Sequence, residues 1–164
     1  MKPGDHPDFY RIAPPPGTSR ESTIRLDAEG SFWHDGERVD HEALAKAMHG
    51  WITRHPDDGR YILSNGYDWT YFRVDDVPYI VRAIALLPEA VVLKLSDETE
   101  ERLSPETLCV GPADALYARV KNGQFEARFS RHAQASLGPI VEEGEHGKAA
   151  LRVGGERFEV PERR

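Results

Sequence analysis

Through most of the chain, apolar positions fall in short alternating runs broken by turn residues; helical spacing appears only twice. Residues 24–39 (IRLDAEGSFWHDGERV) predict short strands around turns. A helix over about 40–54 follows, because Leu44, Ala47, Met48, Trp51 and Ile52 recur on one face. Asp40 stands where it can cap, Val39 and Leu44 stand at staple positions, and Glu42 and Lys46 form an i,i+4 pair. HPDDG at 55–59 stops the helix. Strands are expected at Tyr61–Leu63, before the turn signal Asn65-Gly66, and at Thr70–Val74 and Val77–Ile84. Pro78 places a strand start, an edge or a bulge there. Val91–Leu95 has the continuous apolar character of a strand covered on both faces.

The same grammar then returns. Residues 117–129 predict a hairpin about Asn122-Gly123, in which Phe125, Ala127 and Phe129 alternate with polar neighbours. Ser130 caps a helix-like segment over 130–143, where Ala133, Leu137, Ile140 and Val141 share a face and Gly138-Pro139 interrupts it. Gly154-Gly155 turns a last hairpin at 148–160. A hairpin–helix–hairpin block is therefore written twice. The fold class it predicts is α+β, with repeated hairpin–helix–hairpin units forming a compact mixed or mainly antiparallel sheet assembly.

Residues 1–20 carry five of the twelve prolines and read as an arm laid on the body by Phe9, Tyr10 and Ile12. The expected division is an arm at 1–20, a first α+β unit at 21–96, and an acidic connection at 97–106. A second unit at 107–160 and a tail at 161–164 complete it. A formal charge of −7 disfavours nucleic acid and anionic membranes as partners. The single cysteine, Cys109, excludes an internal disulfide and fits a reducing compartment. With no apolar leader and no apolar span of 18 residues, the expectation is a cytoplasmic protein without membrane insertion.

No motif with a defined chemistry is present. His41 and His49, eight apart, stand roughly 80° from each other around a helix, and neither HExxH nor CxxC occurs. No phosphate-binding glycine loop occurs either, so no metal and no cofactor is expected. The adjacent pairs Asp57-Asp58 and Asp75-Asp76 point to opposite faces if they lie in strands. A reactive site would have to be assembled from distant residues, with His34, Asp75, Asp76, Cys109 and His132 as its members. The aromatic cluster is the better candidate. Tyr67, Asp68, Trp69, Tyr71, Arg73 and Tyr79 would form a binding patch or groove near residues 65–79.

The stretch VDDVPY (Val74 to Tyr79), with IRLDAEGSFWHDGERV before the first helix and ARVKNGQFEARFSRHAQASL in the second half, resembles the bacterial family DUF1285. The likeness covers most of residues 23–160. VDDVPY is similar to the family's acidic–proline–aromatic strand junction, and Arg128 to Ala133 to its entry into the second helical unit. The resemblance implies an α+β protein with repeated structural motifs and a part in bacterial signal transduction; it brings no catalytic set. The resulting expectation is a binding or regulatory module with a small-molecule or protein partner. The alternatives are a small-molecule hydrolase with a non-local His/carboxylate site, or a structural homo-oligomer subunit such as a homodimer paired through a hairpin edge.

Overall fold

A computed structural model describes all 164 residues, which divide into two compact units, Met1–Asp76 and Val77–Arg164. In the first, β1 (Arg25–Leu26), β2 (Phe32–His34) and β3 (Glu37–Arg38) form an antiparallel ladder. Helix α1 (Glu42–Gly50) follows, then the antiparallel meander β4 (Ile52–Arg54), β5 (Tyr61–Ser64) and β6 (Trp69–Tyr71). Strand β7 (Arg73–Val74) then returns to pair parallel with β1. Leu26, Phe32 and Ile62 are enclosed completely or nearly so. The Phe32 ring lies 4.7 Å from His49 and 6.1 Å from Phe72.

The helix is shorter than its apolar spacing predicts. His41, not Asp40, is the cap: its Nδ1 accepts the Leu44 amide at 3.1 Å. At the other end Ile52 leaves the helical face to pair with Leu63, so the meander takes the residues expected in the last turn. Strand pairing outcompetes one more turn of a helix that is short of the length needed to stand alone.

In the second unit, β8 (Tyr79–Leu86), β9 (Val91–Leu95) and β10 (Glu100–Arg102) precede β11 (Cys109–Val110), β12 (Leu116–Val120) and β13 (Phe125–Phe129). They form one sheet in the order β10-β9-β8-β13-β12-β11, antiparallel except where β8 meets β13. Helix α2 (Arg131–Ala135) is capped by Ser130, whose side chain accepts the Ala133 amide at 3.1 Å. Gly138-Pro139 turns the chain into β14 (Val141–Glu143), and β15 (Ala149–Val153) and β16 (Glu156–Glu159) complete a meander. Val110 then bridges Glu162 in parallel, with the Val110 amide donating to Pro161 and Arg163 donating back to Val110, both at 2.8 Å.

The duplication is now explicit. The order β1-β2-β3-α1-β4-β5-β6-β7 recurs as β11-β12-β13-α2-β14-β15-β16 followed by the 161–163 segment. In both, the last segment closes in parallel on the first. The hairpin strands β8–β10 stand between the two copies and join the second through β13.

The unit boundary therefore falls at Asp76/Val77 and not within 97–106. That acidic stretch is no free connection: it contains β10, paired to β9. Likewise residues 161–163 are no free tail, because they supply the closing segment of the second repeat. Both assignments turn on strand partners distant in sequence, which composition does not register. No helix is long and apolar enough to cross a membrane.

Candidate functional site

The predicted aromatic patch is distributed over several environments. Strand alternation puts Trp69 and Tyr71 on one side of β6, their rings 5.1 Å apart. Trp69 is only 6% exposed and packs in a cluster with Ile62 and Phe9. Tyr67 is exposed on the turn before β6, with Lys2 over its ring. Asp68 is exposed and paired to Arg20 at 2.5 Å. Tyr71 and Arg73 border a groove of about 490 Å³, where the Arg60 guanidinium stacks 3.8 Å above Tyr71 and forks onto Glu21. The Tyr71 hydroxyl donates to Asp58 at 2.7 Å; that bond raises the phenol's pKa and lowers the carboxyl's. Tyr79 is buried in the other unit, edge-on to Phe125 at 5.5 Å.

The alternative reactive residues are divided between the units. In the first, the carboxylate beside His34 is Asp35, at 3.6 Å, while Asp75 is held by Arg25 at 2.6 Å and Arg73 at 3.2 Å. Asp76 is that unit's last residue. In the second, Cys109 packs on Val77, Ala115 and Tyr117. Burial pushes its thiol up, away from the reactive thiolate, against a smaller opposing pull from Arg163. His132 lies exposed on α2. No group of three or more His, Cys, Asp or Glu side chains is gathered as a metal would require.

What the sequence did not disclose is an apolar cavity beside the helix of each unit, set against different strands of the two meanders. In the first unit, about 300 Å³ lies between α1 and the β5–β6 side of the meander. Met48, Leu63 and Trp69 form its buried floor, and Leu44, His34 and Asp68 its exposed rim. In the second, about 530 Å³ lies between α2 and the β14–β15 side of the corresponding meander. Leu116, Leu137, Ala150, Leu151 and Val160 are its buried floor, and Asp114, Lys148 and Glu162 its exposed rim. Gln134 frames this second cavity, accepting the Leu116 amide at 3.1 Å and donating to the Asp114 carbonyl at 2.8 Å.

A short helix followed by a three-stranded meander leaves this space because neither element is wide enough to cover the other. Leu137 and Val141 carry apolar character in the sequence, but only the break at Gly138-Pro139 turns them toward a common hollow. Both cavities fall in the size range of small-molecule sites, with apolar floors and few polar groups at the mouth.

No family model matches the chain, and no curated protein matches it. Two solved structures do. A DUF1285 family protein from Silicibacter pomeroyi DSS-3 superposes with a TM-score of 0.68 at 17% identity, covering 92% of this chain and 91% of that one. A DUF1285 family protein from Shewanella baltica OS155 gives 0.54 at 16% identity, covering 69% and 87%. The chain has the fold of these DUF1285 proteins.

Proposed function

We propose that the chain is a non-catalytic binding or regulatory module and that its ligand sites are the two helix–meander cavities. The observation that carries this reading is an apolar hollow beside the helix of each repeat, against β5–β6 in the first and against β14–β15 in the second. The ligand class is a small amphiphile: an apolar body fills the floor, and a polar group meets the charged rim. The 530 Å³ cavity is the principal site, being the larger, and its Lys148 offers a contact for an anionic group. A role in signal transduction belongs to the same proposal, with occupancy rather than turnover as the output.

The test is a titration of the full chain with 8-anilinonaphthalene-1-sulfonate, followed by dye fluorescence and by backbone amide shifts. Saturable shifts at Leu137, Val141 and Ala150 are expected. Ala135→Trp, which adds bulk from an exposed position on α2, should abolish them while leaving the rest of the spectrum in place. Leu44→Glu does the same service for the smaller cavity. A dye that perturbs neither floor overturns the assignment.

A further inference from the structure

The aromatic face of the first unit already holds a peptide: the chain's own arm. Phe9, 6% exposed, is buried with Ile62 and Trp69. Tyr10 stands edge-on to both Trp69 and His55 at 6.0 Å. Its carbonyl accepts from His55 Nε2 at 3.0 Å, while His55 Nδ1 accepts the Asp57 amide at 3.1 Å, so one tautomer serves both contacts. Arg11 then forks onto Asp57 at 2.6 and 3.0 Å. The Gly4 amide reaches the Gly66 carbonyl at 2.7 Å. These are the elements of peptide recognition: aromatic anchors, a backbone contact and a bidentate arginine.

The link between arm and body is built differently. Hydrogen bonds of residues 13–19 stay local, and all of these residues but Pro14 are exposed. The link turns at Pro15–Thr18, where the Thr18 amide donates to Pro15 at 3.1 Å and Gly17 adopts φ +81°. A Cβ on Gly17 would meet nothing within 4 Å, so only its dihedral matters. With this turn opened, the three prolines make a stiff extended spacer reaching roughly 20 Å.

We propose that the His55–Asp57 turn and the Ile62–Trp69 face form a receptor for the Phe9-Tyr10-Arg11 segment, and that two copies of the chain pair by exchanging these arms. Every contact the arm makes within one chain is available between two, so exchange forfeits only the Pro15–Thr18 turn and the freedom lost on association. The receptor shares Trp69 with the floor of the smaller cavity, but Phe9, Tyr10, His55 and Ile62 do not line that cavity.

Charge reversal tests it on the full chain. Arg11→Glu sets like charges together in its own arm site, and Asp57→Arg does the same from the other side. Mixed, the two variants satisfy both sites only by trading arms. Sedimentation velocity and native mass spectrometry should show a dimer fraction in the mixture, as heterodimer, about tenfold above the dimer fraction of either variant alone. The double variant Arg11→Glu/Asp57→Arg, whose pair is restored within one chain, should behave as the parent does. A mixture that stays monomeric, or single variants that dimerise as strongly as the mixture, overturns the proposal. Should charge reversal prevent folding, Gly17→Val takes its place: the strained turn opens and dimer increases at fixed concentration, whereas an unchanged monomer overturns the proposal.

Discussion

Replacing Asp97 by Asn should remove about 2–3 kcal/mol of stability, through a contact that lines neither cavity. The Asp97 side chain is 7% exposed and accepts from Lys121 Nζ at 2.6 Å. It also takes the Thr99 amide at 3.1 Å and the Thr99 hydroxyl at 2.5 Å. Lys121 is itself pinned: its amide donates to Glu101 at 3.0 Å, and its backbone sits at φ +55° in the β12–β13 turn. Asparagine keeps the shape and most hydrogen bonds but leaves the ammonium without its counter-charge. Breaking a fully buried pair costs about 3–5 kcal/mol, and the quarter exposure of Lys121 brings that down to about 2–3. For a chain of this size, each kcal/mol moves the midpoint by about 3 °C, so thermal denaturation at pH 7 should show a fall of about 6–9 °C.

The pH dependence supplies a second readout. Burial alone would raise the Asp97 pKa, but Lys121 and the Thr99 donors outweigh it and hold the carboxyl below its ordinary value of 3.8. The unfolded chain therefore binds this proton more readily than the folded one. The contribution is complete above the unfolded pKa and drains away as pH falls below about 4. Asp97→Asn should flatten that part of the stability profile, and Lys121→Met combined with it should cost less than the two changes summed. A midpoint within 1 °C of the parent at pH 7, with an unaltered acid limb, would refute the reasoning.

Two further substitutions probe the scaffold. Gly111→Ala would set a Cβ 2.6 Å from Cε2 of the buried Tyr117 ring, so denaturant unfolding should show a loss of about 1–3 kcal/mol, while Gly123→Ala, with open space around it, should report only its positive φ. Ser130→Ala removes the cap of α2 and should cost about 1 kcal/mol, with faster amide exchange at Ala133.

The legible parts of this molecule were those governed by neighbours in sequence. Asn122-Gly123 turns the β12–β13 hairpin, Gly154-Gly155 turns β15–β16, Ser130 caps α2, and Pro78 directly precedes β8, all as local rules require. The first helix shows where such rules stop: Asp40 is a sound cap by residue type, yet His41 performs the task because β3 ends close by and fixes where the helix begins. The candidate site was less accessible. Trp69 and Tyr79 look alike in sequence, but one anchors an arm and the other fills the core of a different unit. Lys121 meets Asp97 across 24 residues, and Leu116 meets Gln134 across 18. The hollow framed by Leu116 and Gln134 has no local signature.

The parallel closure of each repeat has a consequence for synthesis. The segment that completes β1 is made roughly 50 residues after it, and the same holds for the segment that completes β11. At about 5–20 residues per second, one edge of each nascent repeat stands open for roughly 2.5–10 s. Hairpins and helix form in microseconds and can wait as a loose, incomplete set, while the final register is withheld until the closing strand leaves the ribosome. Slowing translation through residues 60–75 or 145–163 should therefore prolong the interval in which these open edges are available to the wrong partner.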